Sequence, residues 1–366
     1  MHRWPVQTVH VNLVDRSYDV LVAEGIITNA GKLIQQADLQ GKAAIITDSN
    51  VAPLHAAPLM AALEAAGIKH TLHTIPAGEA SKSLSAANEL CGSLADAGHD
   101  RKSFVIALGG GVVGDLAGFV ASIFYRGIPF LQIPTTIVSL VDSSVGGKTG
   151  VNIPAGKNLV GSFHQPKLVI ADPLLLKTLD PREYHEGFAE VIKHACIRDA
   201  AMLDDIAMLD PTSRFVPAEL IARNVAIKAR IVEEDEHETL GIRALLNFGH
   251  TIGHGIEASL PYGKMLHGEA IALGIRAALF LSESHAGLDH ASSIKVLDLL
   301  KKFHLPLQLD ESIATATIMD KLSRDKKFAS GAIRFVLLDQ LGSAHVASNI
   351  TADDLLSAIE WLRTSA

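Results

Sequence analysis

Two cysteines in 366 residues, Cys91 and Cys196, are too few for a disulfide framework and fit a chain kept in a reducing compartment. Aromatic residues are scarce at 5% while glycine and alanine abound, which suits close helix packing and tight loops better than an all-β sandwich. Basic charge is not in excess either: 32 Lys and Arg face 40 Asp and Glu, leaving a net charge of −8 and no basic stripe for nucleic acid. The opening stretch, MHRWPVQTVHVNLVDRSYDV, lacks the continuous apolar core of a signal peptide. No uncharged apolar run reaches the ~20 residues of a membrane span. These absences leave a soluble, cytoplasmic enzyme as the expectation, with neither nucleic acid nor membrane as partner.

What is present divides the chain in two. Its length exceeds the ~250–300 residues at which a single core stops growing, and 48% apolar residues suffice for two cores. VQTVHVNLV at 6–14 and DVLVA at 19–23 alternate apolar and polar residues and predict a strand pair. AAIITD (43–48), HTLHTI (70–75), FVIAL (104–108), FLQIP (130–134) and KLVIAD (167–172) read as further strands, with helices over 58–67 and 83–98 between them. Such alternation predicts a mostly parallel sheet with helices on its faces. After about residue 180 strand signals almost vanish. REYHEGFAEVIKHACI (182–197), AELIARNVAIKARIVEED (218–235), EAIALGIRAALFLSES (269–284) and ADDLLSAIEWLRTSA (352–366) read as helices, and AIRFVLL (332–338) as one late strand. The expectation is therefore an α/β, Rossmann-like nucleotide-binding domain over residues 1–180 and an all-α metal-binding domain over 181–366.

Residues 245–274, LLNFGHTIGHGIEASLPYGKMLHGEAIALG, carry the densest chemistry. His250 and His254 stand at i, i+4, so a helix presents both imidazoles on one face, and His267 returns after a Pro-Tyr-Gly turn. Two imidazoles and a carboxylate with one open position are what a catalytic zinc requires. Spacing leaves open whether His254 is a ligand or a proton carrier, and whether the carboxylate is Glu190, Glu257 or Glu269.

Three further segments bear on binding. GGGVVGD at 109–115 follows a strand and opens a helix, so Gly109, Gly111 and Gly114 fit the turn that brings backbone amides to a pyrophosphate. The acid expected ~20 residues later is missing, and Asp48, ending an earlier strand, is the substitute for holding a ribose. DSSVGGKTG at 142–150 imitates a phosphate loop but has Asp142 where glycine is required. Lys148 and Lys157 nonetheless sit on glycine loops of an acidic chain, where lysines meet phosphates or carboxylates. With Lys228, Arg243, Lys326 and Lys327 they point to a substrate with more than one anionic group.

In order, GGGVVGD, RGIPFLQIPTT, DSSVGGKTG, GKNLVGSFHQP, AEVIKHA, LLNFGHTIGHGIE and LHGEAIALG make the chain resemble the 3-dehydroquinate synthase family over nearly its whole length. The resemblance implies NAD in the N-terminal half, a zinc ion (or cobalt), a small sugar-phosphate substrate and a homodimer. It assigns metal ligation to Glu190, His250 and His267, leaving His254 as an active-site group. It assigns the NAD site to Asp48, Gly78, Glu79 and Lys82, to Gly111, Gly114 and Asp115, to Thr135, Thr136, Lys148 and Lys157, and to Lys177 and Thr178. Catalytic roles fall to Lys193, His254, Asp142, Asn247, Lys228 and Arg243, and substrate binding to Arg126, Lys148, Asn158 and one of Lys326 and Lys327.

The implied reaction takes 3-deoxy-D-arabino-heptulosonate 7-phosphate to 3-dehydroquinate. NAD+ oxidises the C5 hydroxyl, phosphate is eliminated, NADH returns the hydride, and the opened ring closes by an intramolecular aldol step. Sister sugar-phosphate cyclases acting on sedoheptulose 7-phosphate or glucose 6-phosphate are the near alternative, and a metal-dependent polyol dehydrogenase the remote one. Two positions depart from the family's pattern, Ala77 before Gly-Glu and His237 in the acidic run DEHE.

Overall fold

The computed structural model describes residues 6–261, 263–323 and 333–365. It comprises two compact units: the chain up to Leu179 together with Arg214–His237, and Asp180–Ser213 together with the chain from Glu238 onward.

The first unit opens with β1 (Gln7–Val11) and β2 (Tyr18–Val22), followed by α1 (Ala30–Gln36), β3 (Ala43–Asp48), α2 (Ala57–Ala65) and β4 (His70–Ile75). It continues through α3 (Leu84–Asp96), β5 (Phe104–Gly109), α4 (Gly111–Ile123), β6 (Phe130–Pro134), β7 (Lys148–Ile153), β8 (Gly156–Phe163) and β9 (Leu168–Ala171). Seven strands form one sheet in the order β1-β2-β9-β6-β5-β3-β4, parallel except for the β1–β2 pair. The central strands β3, β5, β6 and β9 are apolar because both of their faces are covered. Ala43, Ile45 and Ile106 pack with Ile34 of α1 and Leu59 and Leu63 of α2. Their neighbours Ala44, Ile46, Val105 and Ala107 pack with Leu90 of α3 and Leu116 of α4.

The second unit starts with α5 (Pro181–Glu186), α6 (Phe188–Arg198) and α7 (Met202–Met208). The chain then returns to the first unit for α8 (Ala218–Glu234). The second unit resumes with α9 (His250–Glu257), α10 (His267–Ala286), α11 (His290–Lys302), α12 (Thr315–Ser323), the hairpin β10 (Ile333–Gln340) and β11 (Ser343–Ile350), and α13 (Ala352–Trp361).

Several expectations need correction. The C-terminal part is helical but not all-α, since β11, SAHVASNI, pairs with β10; it is too polar to read as a strand alone. Residues 214–237 do not belong with the second unit, because α8 packs on β1 and β2 and Glu233 Oε1 accepts the Asn12 N–H at 2.7 Å. Its amphipathic pattern fixes which face is buried, not which core buries it. The helix expected over 182–197 breaks at Gly187 into α5 and α6. DSSVGGKTG, rejected as a phosphate loop for its Asp142, also lacks the strand-loop-helix context of one, because Lys148 begins β7. Among the described residues, no helix is long and apolar enough to cross a membrane.

Candidate active site

In the second unit, the helices bearing the histidines meet through glycines. A Cβ on Gly274 of α10 would lie 1.8 Å from the Gly249 carbonyl oxygen, and one on Gly253 of α9 would lie 3.0 Å from the Ala270 carbonyl oxygen. Gly249 itself has a φ of 78°, a left-handed conformation that side chains disfavour, and it turns the chain into α9. This close crossing brings the His250 and His267 ring centroids to 5.5 Å.

Glu190 of α6 completes the group. Its Oε1 lies 3.2 Å from His250 Nε2 and 3.4 Å from His267 Nε2, on a side chain with no solvent exposure. Burial would raise the Glu190 carboxyl, but Lys193 and His250 hold it well below the ordinary carboxylate range. Burial works against a charged His267 too, yet Glu190 and Glu257 push it up to about 10. Lys193, 1% exposed, forms an ion pair with Glu190 one helical turn away.

The three carboxylates that spacing could not rank are separated by geometry. Glu190 faces the Nε2 side of His267, whereas Glu257 Oε2 lies 3.3 Å from its Nδ1. Glu269 is engaged elsewhere: its oxygens accept from Arg182 Nε and Nη2 at 2.6 and 2.7 Å and from the Leu266 N–H at 2.8 Å. His254, exposed one turn along α9, has its ring centroid 5.1 Å from that of His250 and 5.7 Å from that of His267. The three histidines offer ligand atoms within 4.8 Å of one another. Immediately before α9, the turn Arg243–Asn247 sets a buried Arg243, whose Nε is 3.4 Å from Glu238 Oε1, and a half-buried Asn247.

In the first unit, β5 runs through Gly109 and Gly110 directly into α4. A Cβ on Gly114 would stand 2.6 Å from Gln132 Oε1, so glycine lets α4 lie against β6. No side chain caps the N-terminus of α4. Thr135 donates its N–H to the Gly109 carbonyl, while its buried hydroxyl has no hydrogen-bond partner among the described residues. Thr136 and Ser139 bond reciprocally, each hydroxyl accepting the other's N–H. Lys82 Nζ lies 2.5 Å from Asp115 Oδ2. Glu79 Oε1 accepts from Asn152 Nδ2 at 2.7 Å, and Asn152 Oδ1 accepts the Asn158 N–H at 2.9 Å. Lys228 of α8 reaches Asp142, Nζ to Oδ1 at 2.8 Å.

The other expected residues are more scattered. Asp48 is taken up by its own loop, accepting the Asn50 and Val51 N–H groups at 2.8 and 2.9 Å. Thr178 Oγ1 is 2.8 Å from His55 Nε2, and Lys177, Gly78, Lys148 and Lys157 are exposed. Arg126 is exposed in a left-handed turn with a φ of 70°. Lys326 and Lys327 lie outside the described residues. Sequence reading missed the side of His267 on which Glu257 stands. The available signal was its place seven residues after His250, two turns along the same helix face.

Residues 72–186 match the family described as 3-dehydroquinate synthase N-terminal, and residues 187–328 the one described as 3-dehydroquinate synthase C-terminal. A 3-dehydroquinate synthase of Symbiobacterium thermophilum is 43% identical over 363 residues, covering 96% of this chain and 100% of the relative. One of Methylacidiphilum infernorum is 41% identical over 354 residues, covering 97% and 96%. Among solved structures, a 2-epi-5-epi-valiolone synthase from Streptomyces hygroscopicus, with NAD+ and Zn2+ bound, is similar with a TM-score of 0.85 at 29% identity, covering 98% of this chain and 99% of that one.

Proposed function

The chain belongs to the 3-dehydroquinate synthase family, and from that premise we propose that it converts 3-deoxy-D-arabino-heptulosonate 7-phosphate to 3-dehydroquinate and phosphate, as a cytoplasmic homodimer using NAD and one zinc or cobalt ion. The observation that carries the reading is the convergence of His250 Nε2 and His267 Nε2 on Glu190 Oε1 at 3.2 and 3.4 Å. A tetrahedral zinc with bonds of ~2.0–2.1 Å requires its ligand atoms about 3.3 Å apart, so this donor set fits the ion. The uncapped N-terminus of α4 and the unpartnered Thr135 hydroxyl likewise fit the pyrophosphate of a dinucleotide.

When bound, NAD supplies the reversible hydride acceptor and the metal ion polarises the C5 hydroxyl. The chain's own residues hold the substrate and move its protons. Arg243, a rigid fork, and Lys228 bind the carboxylate, with Asn247 and Asp142 fixing hydroxyls. Lys148 and Asn158, joined by Arg126 and one of Lys326 and Lys327, hold the phosphate and stabilise its charge as it departs. Lys193 keeps Glu190 ionised, and His254 carries the proton released at C5. Asp48, Gly78, Glu79, Lys82, Gly111, Gly114 and Asp115 line the NAD site in this assignment, with Thr135, Thr136, Lys148, Lys157, Lys177 and Thr178.

The test is phosphate release from 3-deoxy-D-arabino-heptulosonate 7-phosphate with catalytic NAD+, with and without a chelator. Release that stops with the chelator, with no net NADH, is the expected result. Metal-loaded, folded protein that releases no phosphate from this substrate but does so from sedoheptulose 7-phosphate would move the assignment to a sister cyclase. Steady accumulation of NADH would mark a dehydrogenase.

A further inference from the structure

The two histidines that face Glu190 differ in what their other ring nitrogen meets. His250 Nδ1 lies 3.1 Å from the Phe248 carbonyl oxygen, an acceptor supplied by its own turn. His267 Nδ1 lies 3.3 Å from the Glu257 carboxylate, on a different helix. A carbonyl or carboxylate can only accept, so each imidazole donates from Nδ1, which leaves Nε2 as the ring atom that faces Glu190 Oε1 and would bind the ion.

His267 has particular need of such a partner. It is the first residue of α10, where the ring has no preceding turn to pack against. Its backbone is pinned on both sides, by Glu186 accepting the Gly268 N–H at 2.5 Å and Glu269 accepting the Leu266 N–H at 2.8 Å. Arg182 in turn grips Glu269 with two N–H groups. With the backbone fixed, what remains free is rotation about the side-chain bonds, and Glu257 is the group that meets the ring on the side away from Glu190.

We infer that Glu257 is a positioning residue, a carboxylate that touches neither ion nor substrate but takes the Nδ1–H of His267 and thereby fixes the tautomer, orientation and basicity with which His267 binds the metal. The inference rests on the metal reading proposed above and goes one shell further out. A charged acceptor on one histidine and a neutral one on the other make His267 the stronger donor of the two.

The test is Co2+ binding by the full-length apoprotein, followed by competition with a chelator and by the visible spectrum of the bound ion, in the parent, Glu257→Gln and Glu257→Leu. Glu257→Leu is expected to weaken binding about 10- to 100-fold and to shift the Co2+ bands, as loss of an outer-shell partner does. Glu257→Gln keeps an amide oxygen as acceptor but loses the charge, so it should fall between the two. A merely structural glutamate would leave the bands of the folded, loaded variant where they were. If Glu257→Leu does not fold, Glu257→Gln carries the comparison, and weaker binding with shifted bands is still expected. A parent that binds Co2+ while the folded variants match it in affinity and spectrum overturns this inference alone. A parent that binds no Co2+, or binds it undiminished as His250→Ala, overturns the metal reading and this inference together.

Discussion

Lys82 Nζ and Asp115 Oδ2 stand 2.5 Å apart, tying the loop before α3 to the second turn of α4. Lys82 is 5% exposed, and burial raises the Asp115 carboxyl against the pull of the lysine. Removing Lys82 leaves the half-buried Asp115 without its counter-charge, so Lys82→Met should cost about 1–3 kcal/mol of stability. It should also weaken NAD binding at least tenfold in a calorimetric titration, because both residues line the proposed NAD site. The double variant Lys82→Met/Asp115→Leu should regain most of the stability and none of the NAD affinity. Recovery of both would show the pair to be structural only.

The Glu190–Lys193 pair allows the same separation. Glu190→Gln removes a proposed metal ligand's charge and leaves Lys193, 1% exposed, facing a neutral amide. The metal-free variant should lose about 3–5 kcal/mol by denaturant titration. Adding Lys193→Met should restore much of that loss while phosphate release stays absent. Full activity in Glu190→Gln would remove this residue from the metal site.

These two pairs show what was legible beforehand and what was not. The strands of the first unit could be read because their side chains are buried on both faces, as Ile45 and Ile46 are on opposite sides of β3. The hairpin β7–β8 could not, since Leu159 is 61% exposed and glycines sit where its strands meet: Gly150 opposes Gly161. The three clustered histidines were visible as spacing. Choosing among Glu190, Glu257 and Glu269 needed three-dimensional placement, because all lie one or two turns from a histidine or on a neighbouring helix and only distance tells which ring nitrogen each one meets.

A histidine cluster away from the site gives the protein an acid limb. Thr71 Oγ1 is 2.7 Å from His73 Nε2 and 2.6 Å from His99 Nε2, and His73 Nδ1 is 2.8 Å from Ser93 Oγ. Burial first, then Lys42 and His73, lower His99 from 6.5 to about 4, outweighing Asp100. A depressed histidine favours the folded state when neutral. Its contribution is complete above about pH 6.5 and is lost as pH falls toward 4. Melting temperature should therefore fall between pH 6.5 and 4 more steeply in the parent than in His99→Gln. Parallel curves for the two proteins would assign the acid limb to other groups.

Glycines at the α9–α10 crossing predict a coupling between packing and metal affinity. A methyl at Gly274 would sit 1.8 Å from the Gly249 carbonyl oxygen, which is backbone and cannot swing away. The helices must separate, at a cost of about 1–3 kcal/mol or more. That movement shifts His267 on α10 relative to His250 on α9, and proposed ligand atoms 3.2 and 3.4 Å from Glu190 Oε1 tolerate little displacement. Gly274→Ala should thus lower both the melting temperature and the Co2+ affinity. Gly92, inside α3, is the matching control: an added Cβ there meets nothing within 4 Å. Gly92→Ala should stabilise the protein by about 0.5–1 kcal/mol, the difference in helix propensity, and leave metal binding unchanged. If Gly274→Ala destabilised the fold yet bound Co2+ as tightly as the parent, the histidines would be set by their own turns rather than by the helix crossing.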